Sequence, residues 1–297
     1  MAGFELISAE PLTMHRTNRL ANMYLLSPYV WAEGDMFHLL VRAVPRRDDE
    51  PRLKMAEVWH GTSMDGCHFD METAPTMYPG ADLVDLDGCE DPTVHIDGAF
   101  MRVWYTGYNE VQKTGRLLLA RGPDVARLAK AGLAIDSTPD FSNPKEATVA
   151  KIGDNRWRMY FEYARGGASL IGQAATDHLD GPWCDIAQAP LAPRKDSWDC
   201  WHLSPGPVLG ENGDAPTLFY NGATQDAKWR IGWAVFDREM TRIVERCTDP
   251  LIRPIEPIGD GATDIAFAAS AVEREVEVWL YYSQSDQDLR RATIRRV

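Results

Sequence analysis

Five stretches of the chain repeat one pattern: a run of β-branched and aromatic residues reaching a bulky side chain, then a small or polar residue. They are FHLLVRA (37–43), MRVWYTG (101–107), RMYFEYA (158–164), TLFYNGA (217–223) and VWLYYSQ (278–284). Such runs favour strand. With Val41, Tyr105, Phe161, Tyr220 and Tyr282 taken as equivalent, the pattern returns at nearly even intervals along the whole chain. A self-similar period of this kind, roughly sixty residues long, is the mark of a repeat architecture.

Each run has neighbours at matched distances. Ser27-Pro28 opens a strand as far before Val41 as Asp91-Pro92 does before Tyr105. Turn signals lie between, at Ala32-Glu33-Gly34-Asp35, Ile96-Asp97-Gly98 and, in the third unit, Gly153-Asp154-Asn155. A further strand follows at KMAEVWH (54–60), LLLAR (117–121), LIGQAAT (170–176), RIGWAVF (230–236) and LRRATIR (289–295). Each unit is thus a small antiparallel sheet, with room for a fourth strand, that cannot bury both faces alone. Five units packed around an axis bury them, so the expected fold is all-β, a five-bladed β-propeller over 1–297 as one domain. A two-sheet sandwich is the rival, but its strands would recur without the longer period. PDVARLAKAGLAID (123–136) is the one stretch that reads as a short helix, with Pro123 near its start.

Composition narrows the function. Against 31 Lys and Arg stand 44 Asp and Glu, a formal charge of −13. This excess disfavours nucleic acid and anionic membranes as partners. No apolar run approaches a membrane span, and the N-terminus shows no signal peptide, so a cytoplasmic location is expected. The five cysteines include no C-x-x-C pair and read as reduced thiols, with no zinc site. No cluster has metal-ligand spacing, and no cofactor is expected. Self-association is left open. Ten tryptophans, 23 Gly and 19 Pro suit a turn-rich β scaffold that binds something flat and ring-shaped.

In a propeller the first residues of the innermost strands converge on the axis. These blade starts read Leu26-Ser27-Pro28, Cys89-Glu90-Asp91-Pro92, Pro144-Lys145-Glu146-Ala147, Trp201-His202-Leu203-Ser204-Pro205 and Thr263-Asp264-Ile265. Three of the five carry carboxylates. On the next strand Arg42, Thr106, Glu162, Asn221 and Ser283 are expected to face the same mouth. Acids converging with Trp and Tyr suit carbohydrate chemistry, because sugars stack on aromatic faces and glycosidic cleavage needs an acid and a second directing group. An isolated Asp-Pro is also a common turn former.

These residues resemble a known family. GCEDPTVHIDGAFMRVWYTGYN (88–109) is similar to the G-x-E-D-P-R…D-G…Y-T-A-Y-D motif of glycoside hydrolase family 130, five-bladed propellers that cleave β-mannosides by phosphorolysis or hydrolysis. Ser27-Pro28 with LLVRA (39–43), WDCWHLSPG (198–206), LFYNGA (218–223), KWRIGWAVFD with RCTDPLIRP (228–237, 246–254) and WLYYSQSDQDLRRATI (279–294) resemble its other motifs, in order along the chain. The resemblance implies that Asp91 is the proton-donating acid, with the proton reaching the glycosidic oxygen through a sugar hydroxyl. It implies Arg42 beside the sugar. Ser27, Glu90, Lys145, Asp199, His202, Tyr220 and Asp264 are further expected substrate contacts. A structural salt bridge, hydrogen bond or core role is the competing reading for Arg42, Asp199, Asp264 and His202.

The departures point to a reaction type. Ser27 stands where the family has Asn, and Thr93 where it has Arg. In the third unit Glu162 and Phe161 occupy the places of an Arg and a His of the phosphorylases. A phosphate dianion needs cations, whereas a carboxylate suits a water nucleophile as general base. The expectation is therefore an inverting glycosidase on β-linked mannosides or related oligosaccharides, with Asp91 as acid and Glu162, assisted by Glu146, as base. Lys145, Arg165 and His202 keep a partial phosphate site, and so a phosphorylase, in view. An arabinanase- or sucrase-type propeller would carry Asp-Pro at the first blade start, where this chain has Ser27-Pro28. A carbohydrate-binding propeller without turnover, or one that serves as a protein-interaction platform, is the non-enzyme alternative.

Overall fold

Alternating buried and exposed positions along the bulky runs give strands that pair into sheets. The computed structural model describes residues 3–46, 55–81, 84–98, 100–211, 213–255 and 263–297; Lys54 of the expected first-unit strand lies outside these. The chain opens with β1 (Phe4–Pro11). Blade 1 follows as β2 (Thr13–His15), β3 (Met23–Glu33), β4 (Met36–Pro45), β5 (Glu57–Ser63) and β6 (His68–Met71). Blade 2 is β7 (Gly88–Asp97), β8 (Phe100–Asn109), β9 (Thr114–Gly122) and β10 (Ala129–Ile135). Blade 3 is β11 (Ser142–Gly153), β12 (Arg156–Arg165), β13 (Ala168–Thr176) and β14 (Cys184–Gln188). Blade 4 is β15 (His202–Leu209), β16 (Thr217–Ala223), β17 (Trp229–Phe236) and β18 (Ile243–Arg246). Blade 5 is β19 (Ala266–Glu273), β20 (Val278–Gln284) and β21 (Asp288–Arg296).

Four sheets have four strands and one has five. Blades 2, 3 and 4 run inner to outer in chain order. Blade 5 takes its outer strand from the other end of the chain, because β1 pairs antiparallel with β21 and closes the ring. Blade 1 gains a fifth strand, β2, which lies parallel to β6. The fold is the expected five-bladed β-propeller.

The five equivalent bulky residues are all core. Val41 and Phe161 sit with Tyr105, Tyr220 and Tyr282 among side chains of 0–1% exposure. Burying each is worth roughly 2 kcal/mol by apolar area, and this is why the repeat is visible as a hydrophobic pattern.

Two expectations need correction. Residues 123–136 are not a helix. A single 3-10 turn, Val125–Arg127, is capped by the Asp124 carboxylate accepting from the Arg127 N–H, and the chain then runs on as β10. Blade 2 needs a fourth strand on β9, and that pairing outweighs a modest local helix preference which Gly132 already weakens. Thr106, Asn221 and Ser283 do not face the mouth. They are buried, and each ties the second strand of its blade to the inner strand of the next blade. Asn221 Oδ1 accepts from Ala268 N–H at 2.7 Å, Ser283 Oγ accepts from Ser27 N–H at 3.0 Å, and Thr106 Oγ1 accepts from Glu146 N–H at 3.4 Å.

Candidate active site

The inner strands share a local irregularity that builds the site. In each blade the register with the second strand slips early in the inner strand: between Leu26 and Tyr29, Glu90 and Thr93, Lys145 and Thr148, Pro205 and Val208, and Ala268 and Ser270. Such bulges re-aim side chains. Ser27, Asp91 and Glu146 each adopt a φ of 50–52° there. For residues other than glycine this left-handed backbone costs energy and persists only where the surroundings enforce it, commonly at functional positions. The bulges of all five blades surround one cavity of about 10 Å³ on the axis, lined by Ser27, Asp91, Thr93, Glu146, Gly206 and Ala268 among others. That is the room of about one water molecule.

Two carboxylate groupings meet at this point. The Asp91 side chain is 2% exposed. Its Oδ1 accepts from Ser27 Oγ at 2.7 Å and from Arg42 Nη1 at 3.2 Å. Its Oδ2 is buried and has no hydrogen-bond partner among the described residues. Arg42 also reaches Glu90 Oε1 with Nη2, at 2.8 Å. Burial opposes the guanidinium charge, but Glu90, Asp91 and Glu146 outweigh it and hold Arg42 firmly protonated.

In the next blade, Glu162 on β12 is cross-strand partner to Lys145 on β11, and Lys145 Nζ lies 3.2 Å from Glu162 Oε1. The Glu162 charge, more than its own burial, governs Lys145 and raises its pKa. Glu146 stands between the two groupings. Burial, then the Asp91 charge, pushes its pKa well above the ordinary carboxylate value, against the pull of Lys145 and Arg42. His202 begins β15 and accepts the Ser169 N–H at Nδ1, at 3.0 Å, so a neutral ring carries its proton on Nε2. Burial lowers its pKa while Glu162 and Lys145 act on it in opposite directions, which sets it beside that pair.

Blades 4 and 5 complete the mouth with rings. His202 and Trp229 have centroids 5.5 Å apart, and Trp229 meets Phe267 edge-on at 5.3 Å. Trp201 leans across to blade 3, its Nε1–H donating to Gly167 O at 3.2 Å. Trp229 and Phe267 were not among the expected residues. The interval from Ser27 to Val41 and from Asp91 to Tyr105, counted back from Tyr220 and Tyr282, lands on Gly206 and Ala268, beside Phe267. It marks the bulges that line the axial cavity, whereas Trp201–Pro205 spans the start of β15 at His202 and Thr263–Ile265 precedes β19.

The other expected contacts are placed elsewhere. Asp264 holds Arg230 in a bidentate pair at 2.7 and 3.0 Å, and its backbone O accepts the Trp229 N–H, so it ties blade 4 to blade 5. Asp199 and Tyr220 lie fully buried within blade 4. Asp199 accepts from the Tyr220 hydroxyl at 2.7 Å, Arg194 Nε at 3.0 Å and Arg246 Nη2 at 2.5 Å. Blade 2 repeats the device, with buried Asp85 accepting from Tyr105 at 3.0 Å and Lys130 at 2.5 Å. Both aspartates brace a core tyrosine and do not join the axial cluster. Arg165 is exposed at the end of β12.

A larger cleft, about 740 Å³, opens at the far ends of the blade 1 and blade 2 strands, beside Glu33, His38, His60, Glu72 and Ile96. Several of its polar groups are already paired. His38 Nδ1 and His60 Nε2 share a hydrogen bond of 3.1 Å, and Glu33 accepts from Trp31 Nε1 at 2.9 Å. Burial pushes His60 down to about 4, so it stays neutral. The convergent, underpaired acids are at the other mouth.

No family model matches the sequence, and a search of curated proteins finds no match. Solved structures do match. A β-1,2-mannobiose phosphorylase from Listeria innocua superposes with a TM-score of 0.78 at 17% identity, over 97% of this chain and 90% of that one. A structure reported with the finding that the family 130 mannoside phosphorylases contain hydrolases of β-1,2 mannosidic linkages in Candida mannan gives 0.78 at 20%, over 99% and 93%. A mannose phosphorylase from Leishmania mexicana, in complex with phosphate ion, gives 0.73 at 15%, over 97% and 88%. This chain shares their fold. At these identities the likeness speaks for the five-bladed architecture; what the chain does rests on its own axial residues. No helix among the described residues is long and apolar enough to cross a membrane.

Proposed function

We propose that the chain is an inverting glycoside hydrolase of family 130 type that cleaves β-linked mannosides or related oligosaccharides. The observation that carries this is the Lys145–Glu162 pair: the blade 3 cation is already neutralised by a buried carboxylate 3.2 Å away. An incoming phosphate dianion would meet Glu162, Glu146 and Asp91 with two cations, Lys145 and Arg42, that are both already paired with carboxylates. A water molecule meets a buried carboxylate held ready to take its proton.

In this reading Asp91 serves the leaving oxygen, directly or through a sugar hydroxyl, with its free Oδ2. Ser27 and Arg42 fix its other oxygen. Glu162 removes a proton from water as the water attacks the anomeric carbon from the opposite face, the C–O bond breaks, and the anomeric configuration inverts. His202 Nε2–H, Glu90 and Lys145 are suited to sugar hydroxyls. Trp229 and Phe267 offer apolar ring faces to a pyranose. The mannoside assignment draws on the printed substrates of the structural neighbours together with the chain's own 88–109 motif. The five free cysteines, three of them buried, suit a reducing, cytoplasmic setting.

The test is incubation with β-1,2-mannobiose, with and without orthophosphate, followed by proton NMR. The expected product is mannose, formed first as the α-anomer and at the same rate in both. Mannose-1-phosphate formed only with phosphate would make the chain a phosphorylase. Binding without any product would make it a lectin-like propeller.

A further inference from the structure

The acid side of the proposed site holds two carboxylates from neighbouring blades, and they differ in what secures them. Asp91 has an arginine and a serine hydroxyl on Oδ1. Donors of this kind suit a carboxylate, and a carboxylate has no proton to give. Glu146 occupies the corresponding bulge of the next blade, with the same left-handed backbone, φ 52° against 50°. Both line the 10 Å³ cavity on the axis, and the other residues around it, from Ser27 and Thr93 to Gly206 and Ala268, carry no charge. The charged groups acting on Glu146 are Asp91 from β7, Arg42 from β4, Lys145 beside it on β11, and Glu162 from β12. Two cations thus face three carboxylates besides Glu90, and Arg42 and Lys145 are already committed to Asp91, Glu90 and Glu162. Glu146 forms no ion pair among the described residues, and burial and the Asp91 charge favour its neutral form against the pull of Lys145 and Arg42.

We propose that Glu146 is the proton store of the catalytic acid: it carries the proton in the resting protein and passes it, through Asp91 Oδ2 or a sugar hydroxyl, to the departing glycosidic oxygen. This reverses the role that sequence gave Glu146, as an assistant base to Glu162. The step balances. Glu146 loses a proton to the leaving oxygen as the C–O bond breaks, Glu162 gains one from the attacking water, and exchange with solvent resets both.

Two arms test the proposal, and only the second rests on the hydrolase reading. In the first, carboxyl ¹³C NMR of Glu-labelled protein without substrate follows the titration. One Glu carboxyl should remain protonated at pH 7 in the wild type. It should be missing in Glu146→Gln and should titrate at lower pH in Asp91→Asn, which removes the neighbouring charge. If every Glu carboxyl of the wild type is ionised at pH 7, or if the protonated one persists in Glu146→Gln, the proposal is overturned, whatever the enzyme's activity. The wild-type titration alone decides if a variant fails to fold. In the second arm, Glu146→Gln should lose about 100-fold or more of kcat on mannobiose. It should lose less than about tenfold on a nitrophenyl mannoside, whose leaving group needs no proton. Equal losses on both substrates would remove Glu146 from the acid side.

Discussion

Two buried carboxylates, Asp91 at the axis and Asp199 inside blade 4, make opposite use of similar chemistry. Asp199 has two guanidiniums and a tyrosine hydroxyl. Burial works against its charge, yet Arg194, Arg246 and Tyr220 together hold its pKa below the ordinary value. Asp91 shares one arginine with Glu90, keeps an oxygen without a partner, and sits within the field of Glu146. A buried acid whose oxygens are all claimed is a brace. A buried acid left partly unclaimed, on strained backbone, among other acids, is placed for chemistry. Conversion of one kind into the other should therefore fail in distinguishable ways.

The largest separation is expected at Asp91. Asp91→Asn keeps the shape and the Ser27 contact but removes the charge and the oxygen that passes the proton to the leaving group. Hydrolysis of mannobiose should fall by about 1000-fold or more, as loss of a proton-transfer group can cost, while the melting temperature stays within a few degrees. Near-normal turnover would take Asp91 out of the mechanism and dissolve the contrast with Asp199.

Next in size is the converse change. Asp199→Ala leaves Arg194, Arg246 and the Tyr220 hydroxyl without their common acceptor. Breaking a buried pair in this way costs about 3–5 kcal/mol, to be read from denaturant unfolding, while kcat per folded molecule stays within a few-fold. If activity vanished and stability held, Asp199 would belong to the site after all. Below both in size, Glu162→Gln should cut hydrolysis by roughly 100-fold. Its partner Lys145 is then released, and the variant should bind orthophosphate more tightly than the wild type by calorimetry. No gain in phosphate affinity would mean that Glu162 is not what excludes the anion.

How far the sequence carries follows from which forces leave periodic traces. Core packing does, so Tyr105, Phe161 and Tyr282 marked the blades and their spacing marked the fold. The places of Asp91 and Glu162 in their blades were legible because they stand at fixed offsets from those core residues. Asp199 and Tyr220 misled, because a buried brace and a ligand contact use the same residue types within one motif. Asp85, the equivalent brace in blade 2, gave no signal, since its partner Lys130 lies on a stretch that reads as helix but forms β10. Trp229 and Phe267 are brought to the mouth by register, which a pattern of single residues does not show.

The smallest effect separates the two clusters by the sign of their dependence on pH. Asp199 has a lowered folded pKa, so its contribution is present above the unfolded value and is lost as pH falls through the folded one. Glu146 has a raised folded pKa. Below the unfolded value, near 4.5, folded and unfolded chains both hold its proton and it makes no difference. As pH rises from there towards the folded value, only the unfolded chain releases the proton, so the axial cluster increasingly opposes folding. Glu146→Gln keeps the shape and cannot titrate. Its melting temperature should match that of the wild type near pH 4 and exceed it by a few degrees at pH 8, with the gap opening steadily between. A constant gap, or a wild type more stable at pH 8, would mean that the axial acids are as well compensated as Asp199.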